Sequence, residues 1–190
     1  MHLINVILNS QKQVTAIYSG DYIAAHREGC RAAAELSMIR LNRKFPIVIT
    51  TNSGYPLDQN LYQTVKGIWT AARIVEQGGA IIVASECSKG IPDDGNFANL
   101  MSARSNADDL LDFFSHDAHH IMDRWQAQKL AMALKKAEIF VYTSLGENKV
   151  SECKMRKIED ISSAISELVT KIGRKPEIAV LPRGPVTIPI

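Results

Sequence analysis

The 190-residue chain predicts an α/β fold: a mostly parallel sheet with helices on both faces, Rossmann-like and three-layered, preceded by a β-hairpin and helix appendage. Three observations carry this expectation. Short apolar, β-branched runs recur at residues 45–49, 80–85, 137–144 and 178–182, and runs without polar alternation belong to strands buried on both faces. Segments with apolar residues at helical spacing separate these runs. Polar turns bearing glycine or proline follow the runs, as they do where a parallel strand hands over to its crossover helix.

The N-terminal runs, residues 3–9 and 13–18, are joined by Ser10-Gln11-Lys12 and read as a hairpin, which alone is marginal and must lie on something else. Gly20-Asp21 then opens a helix over about 21–39 with an apolar stripe at Ile23, Ala24, Cys30, Ala34 and Met38. His26 within it reads as a hydrogen-bonded packing residue. Residues 1–44 form the appendage in this reading, and residues 45–190 the α/β domain.

The stretch ITTNSGYPLDQNLYQTVKG, residues 49–67, is where a ligand site is expected. A strand ends at Thr50-Thr51-Asn52, and Ser53-Gly54-Tyr55-Pro56 reverses the chain. Asp58 then caps a helix whose apolar stripe is Leu61, Val65, Ile68 and Ala72. Gln59, Gln63 and Lys66 share its other face. The helix N-terminus, with its unpaired amides, together with Gln63 and Lys66, suits a carboxylate or phosphate. Lys66 stands ~12 Å beyond Asp58 and must lean back along the helix to share a pocket with Asn52 and Gly54.

Gly78-Gly79 is expected to end this crossover helix before the strand at 80–85. Glu86-Cys87-Ser88-Lys89-Gly90 and IPDDGNF then form a polar loop able to carry a second set of ligand groups, Glu86 among them. Residues 97–136 are helical in character, with breaks near Ser105-Asn106 and at 115–120. A strand at 137–144, helices near 147–153 and 159–172, and a strand at 178–182 follow. Pro182, Pro185 and Pro189 leave an extended tail. His116, His119 and His120 share a helix face, but they lack a carboxylate or cysteine partner of known spacing, so capping and surface hydrogen bonding are the favoured reading and no metal site is expected.

Composition narrows the function. With 22 basic and 20 acidic residues the net charge is only +2, and no basic run is interleaved with aromatics, which argues against nucleic acid as a partner. No apolar run approaches the ~20 residues of a membrane span, and no leader pattern precedes a cleavage site, so a cytoplasmic location is expected. Cys30, Cys87 and Cys153 are far apart and odd in number, as reduced thiols would be.

The run NSGYPLDQNLYQTVKG resembles the signature of the C-terminal half of the nickel-pincer lactate racemase family, whose members invert 2-hydroxy acids. The opening INVILNSQKQVTAIYSGDYIAAHREGC, the segment EQGGAIIVASEC and the later HHIMDRWQAQKLA resemble it in the same order. After the Glu-Cys pair the family has a glycine- and histidine-rich loop, whereas this chain reads Lys-Gly-Ile-Pro-Asp-Asp-Gly-Asn, leaving the particular hydroxy acid open.

The resemblance implies a substrate-side domain of a racemase or epimerase, an isomerase. Lys66 would pair with the substrate carboxylate, Gln63 would hydrogen-bond it and Trp125 would close the pocket, with Asn52, Gly54 and Glu86 as further pocket residues. The chemistry it implies is transfer of the C2 hydride to the cofactor while a histidine takes the hydroxyl proton. No catalytic residue is expected in this chain, because the family's nickel-pincer nucleotide, its lysine and its histidines belong to an N-terminal half that precedes these residues. The partners implied are that cofactor domain, on which the appendage of residues 1–44 would pack, and a small 2-hydroxy acid, and the chain alone would be inactive. The alternative is a non-catalytic carboxylate-binding module that acts with a separate cofactor-bearing chain.

Overall fold

A computed structural model describes residues 1–92, 95–116, 121–173 and 175–190. The chain forms two compact units, Met1–Arg40 with Ile190, and Leu41–Pro189, dividing four residues before the boundary expected from sequence.

In the first unit, β1 (His2–Leu8) pairs antiparallel with β2 (Val14–Asp21), as the alternating pattern requires. Helix α1 (Tyr22–Ser37) follows at once, because the Asp21 carboxylate accepts from the Ile23 and Ala24 amides. It lies on the hairpin face that carries Asn5 and Tyr18, where a Cβ at Gly29 would stand 3.4 Å from Asn5 Nδ2. The chain becomes extended at β3 (Met38–Ile39), two residues earlier than expected. His26 is exposed, with a ring nitrogen 3.5 Å from Cys30 Sγ on the next turn.

The second unit is built on β4 (Phe45–Thr51), followed by α2 (Leu61–Ala72) and β5 (Val75–Ala84). The chain continues through α3 (Phe97–Ser102), α4 (Ala107–His116) and α5 (Arg124–Lys136) to β6 (Ala137–Tyr142). Then come α6 (Glu147–Glu152), β7 (Arg156–Ile158), α7 (Ile161–Ile172), β8 (Ile178–Leu181), a 3-10 turn at Gly184–Val186 and β9 (Ile188–Pro189). The five-stranded sheet runs β7-β6-β5-β4-β8, parallel throughout. Alternate residues feed two cores. Val48, Ile81, Val83, Ile139 and Val141 meet α2, α3, α4 and α5 on one face, whereas Ile47, Ile82 and Phe140 meet Ala164 and Leu168 of α7 on the other. That is the three-layer arrangement the continuous apolar runs predict.

Three local expectations are corrected, and one element is added. Asn60, not Asp58, caps α2, with its side-chain oxygen 2.9 Å from the Gln63 amide, while residues 54–58 are tied into a turn by Leu57 and Asp58 amides on the Gly54 carbonyl. Gly78-Gly79 does not end that helix, which stops at Ala72. Phe45 pairs with Val75 and Ile47 with Ala80, so residues 76–79 bulge away from β4 within β5, while Gly79 still pairs with Ala137 of β6; Gly78 takes φ 77° and a Cβ at Gly79 would be 2.7 Å from the Pro46 carbonyl. Residues 156–158 make an edge strand that sequence did not suggest. The proline-bearing end is not simply extended, since Gly184–Val186 turns against the sheet, Gly184 meeting Thr50, Thr51 and Gly67.

Helix α2 is locked to the end of β4 through one side chain. Asn52, fully buried, accepts from the Gly67 amide at 3.1 Å and donates to the Leu57 carbonyl. A Cβ at Gly67 would stand 2.7 Å from the Thr51 carbonyl oxygen. Gly67→Ala should therefore destabilise the chain by about 1–3 kcal/mol in urea unfolding, opposite in sign to the ~1 kcal/mol gain the same change gives in an exposed helix.

Candidate functional site

The carboxyl ends of β4, β5 and β6 open into a cavity of about 510 Å³. Its wall includes Thr51 and Gly54 after β4, Ser85 and Glu86 after β5, and Thr143 and Ser144 after β6, with the carboxylates of Asp58 and Glu159 at its edge. In open α/β sheets, ligands bind at this end of the strands. The loops here are tied together by hydrogen bonds to main-chain carbonyls. Glu86 O accepts from Ser144 N (3.2 Å), Ser144 Oγ (2.7 Å) and Thr143 Oγ1 (3.1 Å), which joins the loops after β5 and β6. Cys87 N donates to Asp58 O (2.9 Å) and Lys89 N to Gln59 O (2.7 Å), which joins the loop after β5 to the approach to α2.

A consequence follows for anion binding. The Leu61 amide donates to Gly90 O at 3.0 Å, the Gln63 amide to the Asn60 side chain, and the Thr64 amide to Asn60 O at 3.2 Å. Three N–H groups of the first turn are thus occupied internally, so the free helix N-terminus expected from sequence is largely closed. The polar groups this helix leaves available are therefore on side chains.

Those side chains are adjacent. Lys66 Nζ donates to Gln63 Oε1 at 2.6 Å, and Lys66 is exposed, with no carboxylate within ion-pair distance among the described residues. With Asn60 as the cap, Lys66 stands only ~9 Å along the helix from its start. Gln63 also lines a second cavity, of about 340 Å³, with Asn60, Tyr62, Phe97, Met122 and Asp123. Trp125, half-exposed, meets the Tyr62 ring edge to face at 6.0 Å, and Lys129 Nζ stands 4.8 Å from its own ring centre.

Gly54 and Glu86 therefore share the larger cavity, Gln63 lies in the smaller one beside Lys66, and Trp125 reaches it through Tyr62. Asn52 stands behind the wall with both ends of its amide engaged inside the protein. Sequence reasoning missed Tyr62 and Asp123. The Tyr62 hydroxyl is hydrogen-bonded to the Asp123 carboxylate, while its ring also packs edge-on against Phe97 at 5.6 Å. A Cβ at Gly95 would fall on the Asp123 carboxylate, which would have to move aside. Neither residue had a periodicity or motif to single it out; Tyr62 looked like one more aromatic on a helix.

His116 bonds within its own helix, its Nδ1 3.0 Å from Asp112 O and 2.9 Å from Ser115 Oγ; His119 and His120 lie outside the described residues. Among the described residues no group of three or more His, Cys, Asp or Glu side chains is placed to hold a metal ion. Cys87 and Cys153 are buried, burial pushing the Cys153 thiol up to about 12, and Cys30 has only His26 beside it. These donors do not fit a nickel-bearing nucleotide. No helix among the described residues is long and apolar enough to cross a membrane.

The second unit is thus a parallel α/β domain with two cavities beside the approach to its first crossover helix. The comparisons with known proteins give it a family. The family described as the lactate racemase C-terminal domain matches residues 42–188, and the chain belongs to it. It is 29% identical over 184 residues to the lactate racemase of Thermoanaerobacterium thermosaccharolyticum, and 31% identical over 188 residues to that of Lactiplantibacillus plantarum. Each alignment covers 96% of this chain but 43% of the relative, so the chain spans less than half the length of the curated relatives and matches their C-terminal part. The structure of the Thermoanaerobacterium lactate racemase apoprotein superposes with a TM-score of 0.92, covering all of this chain and 46% of that one. A Thermotoga maritima protein, at 10% identity and a TM-score of 0.61, shares the fold; it covers 100% of this chain and 48% of its own.

Burial, then the charge of Asp123 and its hydrogen bond, raise the Tyr62 pKa above the ordinary 10.0. The folded chain keeps this proton at a pH where the unfolded chain has released it. The stabilisation is thus complete below pH 10.0 and lost as pH rises through the folded value. Asp123→Asn removes the charge. In ultraviolet tyrosinate titrations, read as differences from Tyr62→Phe, it should move this ionisation to lower pH.

Proposed function

We propose that this chain is the substrate-side part of a lactate racemase-like racemase or epimerase, an isomerase of 2-hydroxy acids, which orients the substrate carboxylate. The observation that carries the reading is the Lys66–Gln63 pair. The ammonium and the amide oxygen are 2.6 Å apart, no acidic side chain among the described residues neutralises the lysine, and Gln63 lines the cavity it shares with Tyr62 and Asp123. Membership of the family supports the class of reaction. In this reading Lys66 supplies the countercharge to one carboxylate oxygen. Gln63 Nε2, which no described residue takes, donates to the other. Trp125, braced by Tyr62, covers the apolar side of the bound acid.

The nickel-pincer nucleotide would be held by a cofactor-bearing half, joined to this chain or separate, and would supply the hydride chemistry at C2. This chain's contribution is orientation, which in enzymes removes up to several kcal/mol of a barrier. The same reading assigns a cytoplasmic location, in keeping with three unpaired cysteines.

With the cofactor-bearing half supplied, Lys66→Ala should raise the KM for a 2-hydroxy acid by tenfold or more, or abolish turnover, while the melting temperature hardly moves because Lys66 is exposed. The chain without that half should turn over nothing. Full activity in Lys66→Ala would return this face to an ordinary solvated helix.

A further inference from the structure

Tyr62 is held from the start of α5 at three points. The Asp123 carboxylate takes its hydroxyl, the Trp125 ring meets its ring edge to face at 6.0 Å, and Gln126 Nε2 donates to its main-chain carbonyl at 2.6 Å. The first two contacts hold the side chain. The third holds the backbone of α2, at the carbonyl that also accepts the Lys66 amide in the i to i+4 pattern of an α-helix. A carbonyl oxygen has two lone pairs and can accept both bonds. By chain position, the Gln126–Tyr62 bond joins the neighbour of Trp125 to the neighbour of Gln63.

Gln126 is an unusual occupant of its position. Helix α5 buries Gln126, Ala127, Leu130, Ala131 and Ala133, and Gln126 is the one polar side chain of the five, with none of its surface exposed. An amide taken out of water is costly unless both of its ends are bonded. Here Nε2 is bonded, whereas Oε1 has no partner among the described residues. A carbonyl only accepts, so the amide cannot turn over without losing the bond to Tyr62. Methionine, of similar length, would fill the space with no orphaned acceptor, and Tyr62 O would keep its helical bond from Lys66. Stability therefore does not call for glutamine here. What the amide supplies and methionine cannot is a set separation, because a hydrogen bond fixes distance and direction whereas apolar contact fixes neither.

We propose that Gln126 is a positioning residue, which holds Trp125 at a set distance from Gln63 and Lys66. It touches no ligand. The aromatic cover and the carboxylate clamp lie on different helices, and the Gln126–Tyr62 bond ties the two helices together beside both. The consequence for a bound acid rests on the proposed function; the position of Trp125 does not.

The test compares the full chain with its Gln126→Met variant, both carrying 5-fluorotryptophan, by fluorine NMR. Trp125→Phe distinguishes the Trp125 line from that of Trp69. In the unaltered chain Trp125 should give one narrow line. In Gln126→Met it should shift or broaden by more than the unaltered line's width, while the melting temperature stays at or above that of the unaltered chain. Lactate, which carries the carboxylate and hydroxyl of any 2-hydroxy acid, probes the consequence: the concentration that half-shifts the Trp125 line should rise at least fivefold in Gln126→Met. Lys66→Ala should lose the lactate response but keep the ligand-free Trp125 line in place, which separates failure of the carboxylate site from failure of the positioning role. A normal lactate response in Lys66→Ala, or none in the unaltered chain, would count against that site and leave the ligand-free line to decide the role of Gln126. An unmoved Trp125 line in Gln126→Met, or an unchanged lactate midpoint, would overturn the proposal. So would a melting temperature lower by more than ~5 °C, which would make Gln126 a core residue like its neighbours.

Discussion

The site depends on how closely α2 can approach the end of β4, and that approach is made by Asn52 and Gly67. One buried amide takes the helix N–H at Gly67 and returns a hydrogen bond to Leu57, fixing at once the strand end, the glycine turn and the body of the helix. The absence of a side chain at Gly67 lets the helix meet the Thr51 carbonyl, and the same gap receives Gly184 from the C-terminal turn. An unsatisfied buried amide costs about 1–3 kcal/mol, so this arrangement holds as a set or is disrupted as a set. Every residue assigned to ligand binding on α2 takes its position from it.

Closing the helix onto the sheet has a chemical consequence. The loop after β5 supplies the Gly90 carbonyl to the first turn of α2, and Asn60 supplies its side chain and carbonyl, so the backbone amides that often bind anions in α/β proteins are already used. Under the proposed function, an acid bound here would meet an ammonium and a primary amide instead. Such groups are carried on flexible side chains, and the Lys66–Gln63 hydrogen bond pre-orders them relative to each other. Tyr62, held at its hydroxyl by Asp123 and at its ring by Phe97 and Trp125, supplies the rigid wall beside them.

Much of the fold was legible because its strands are buried on both faces: continuous apolar runs such as residues 80–85 have few other uses, and the stripe Leu61, Val65, Ile68 and Ala72 is buried as its spacing requires. The errors have specific causes. Asp58 and Asn60 are both good caps, and the choice between them was made by the Gly54 turn, which draws residues 54–58 out of the helix. Gly78-Gly79 read as a helix end because that is glycine's commonest use, whereas here the pair serves a loop within β5. The edge strand Arg156–Ile158 is held by β6 alone, and three residues carry no period. At the site, the polar face of α2 was legible as a pattern, but the Tyr62–Asp123 pair joins two distant segments and becomes visible only in three dimensions.

The account rests on where the acid binds. A crystal structure of this chain assembled with a cofactor-bearing half and a bound 2-hydroxy acid tests it most directly. The carboxylate should lie within hydrogen-bond distance of both Lys66 Nζ and Gln63 Nε2, with the Trp125 ring over the ligand. A carboxylate held instead by Thr51 and Ser144 in the larger cavity, with Lys66 left in solvent, would contradict it.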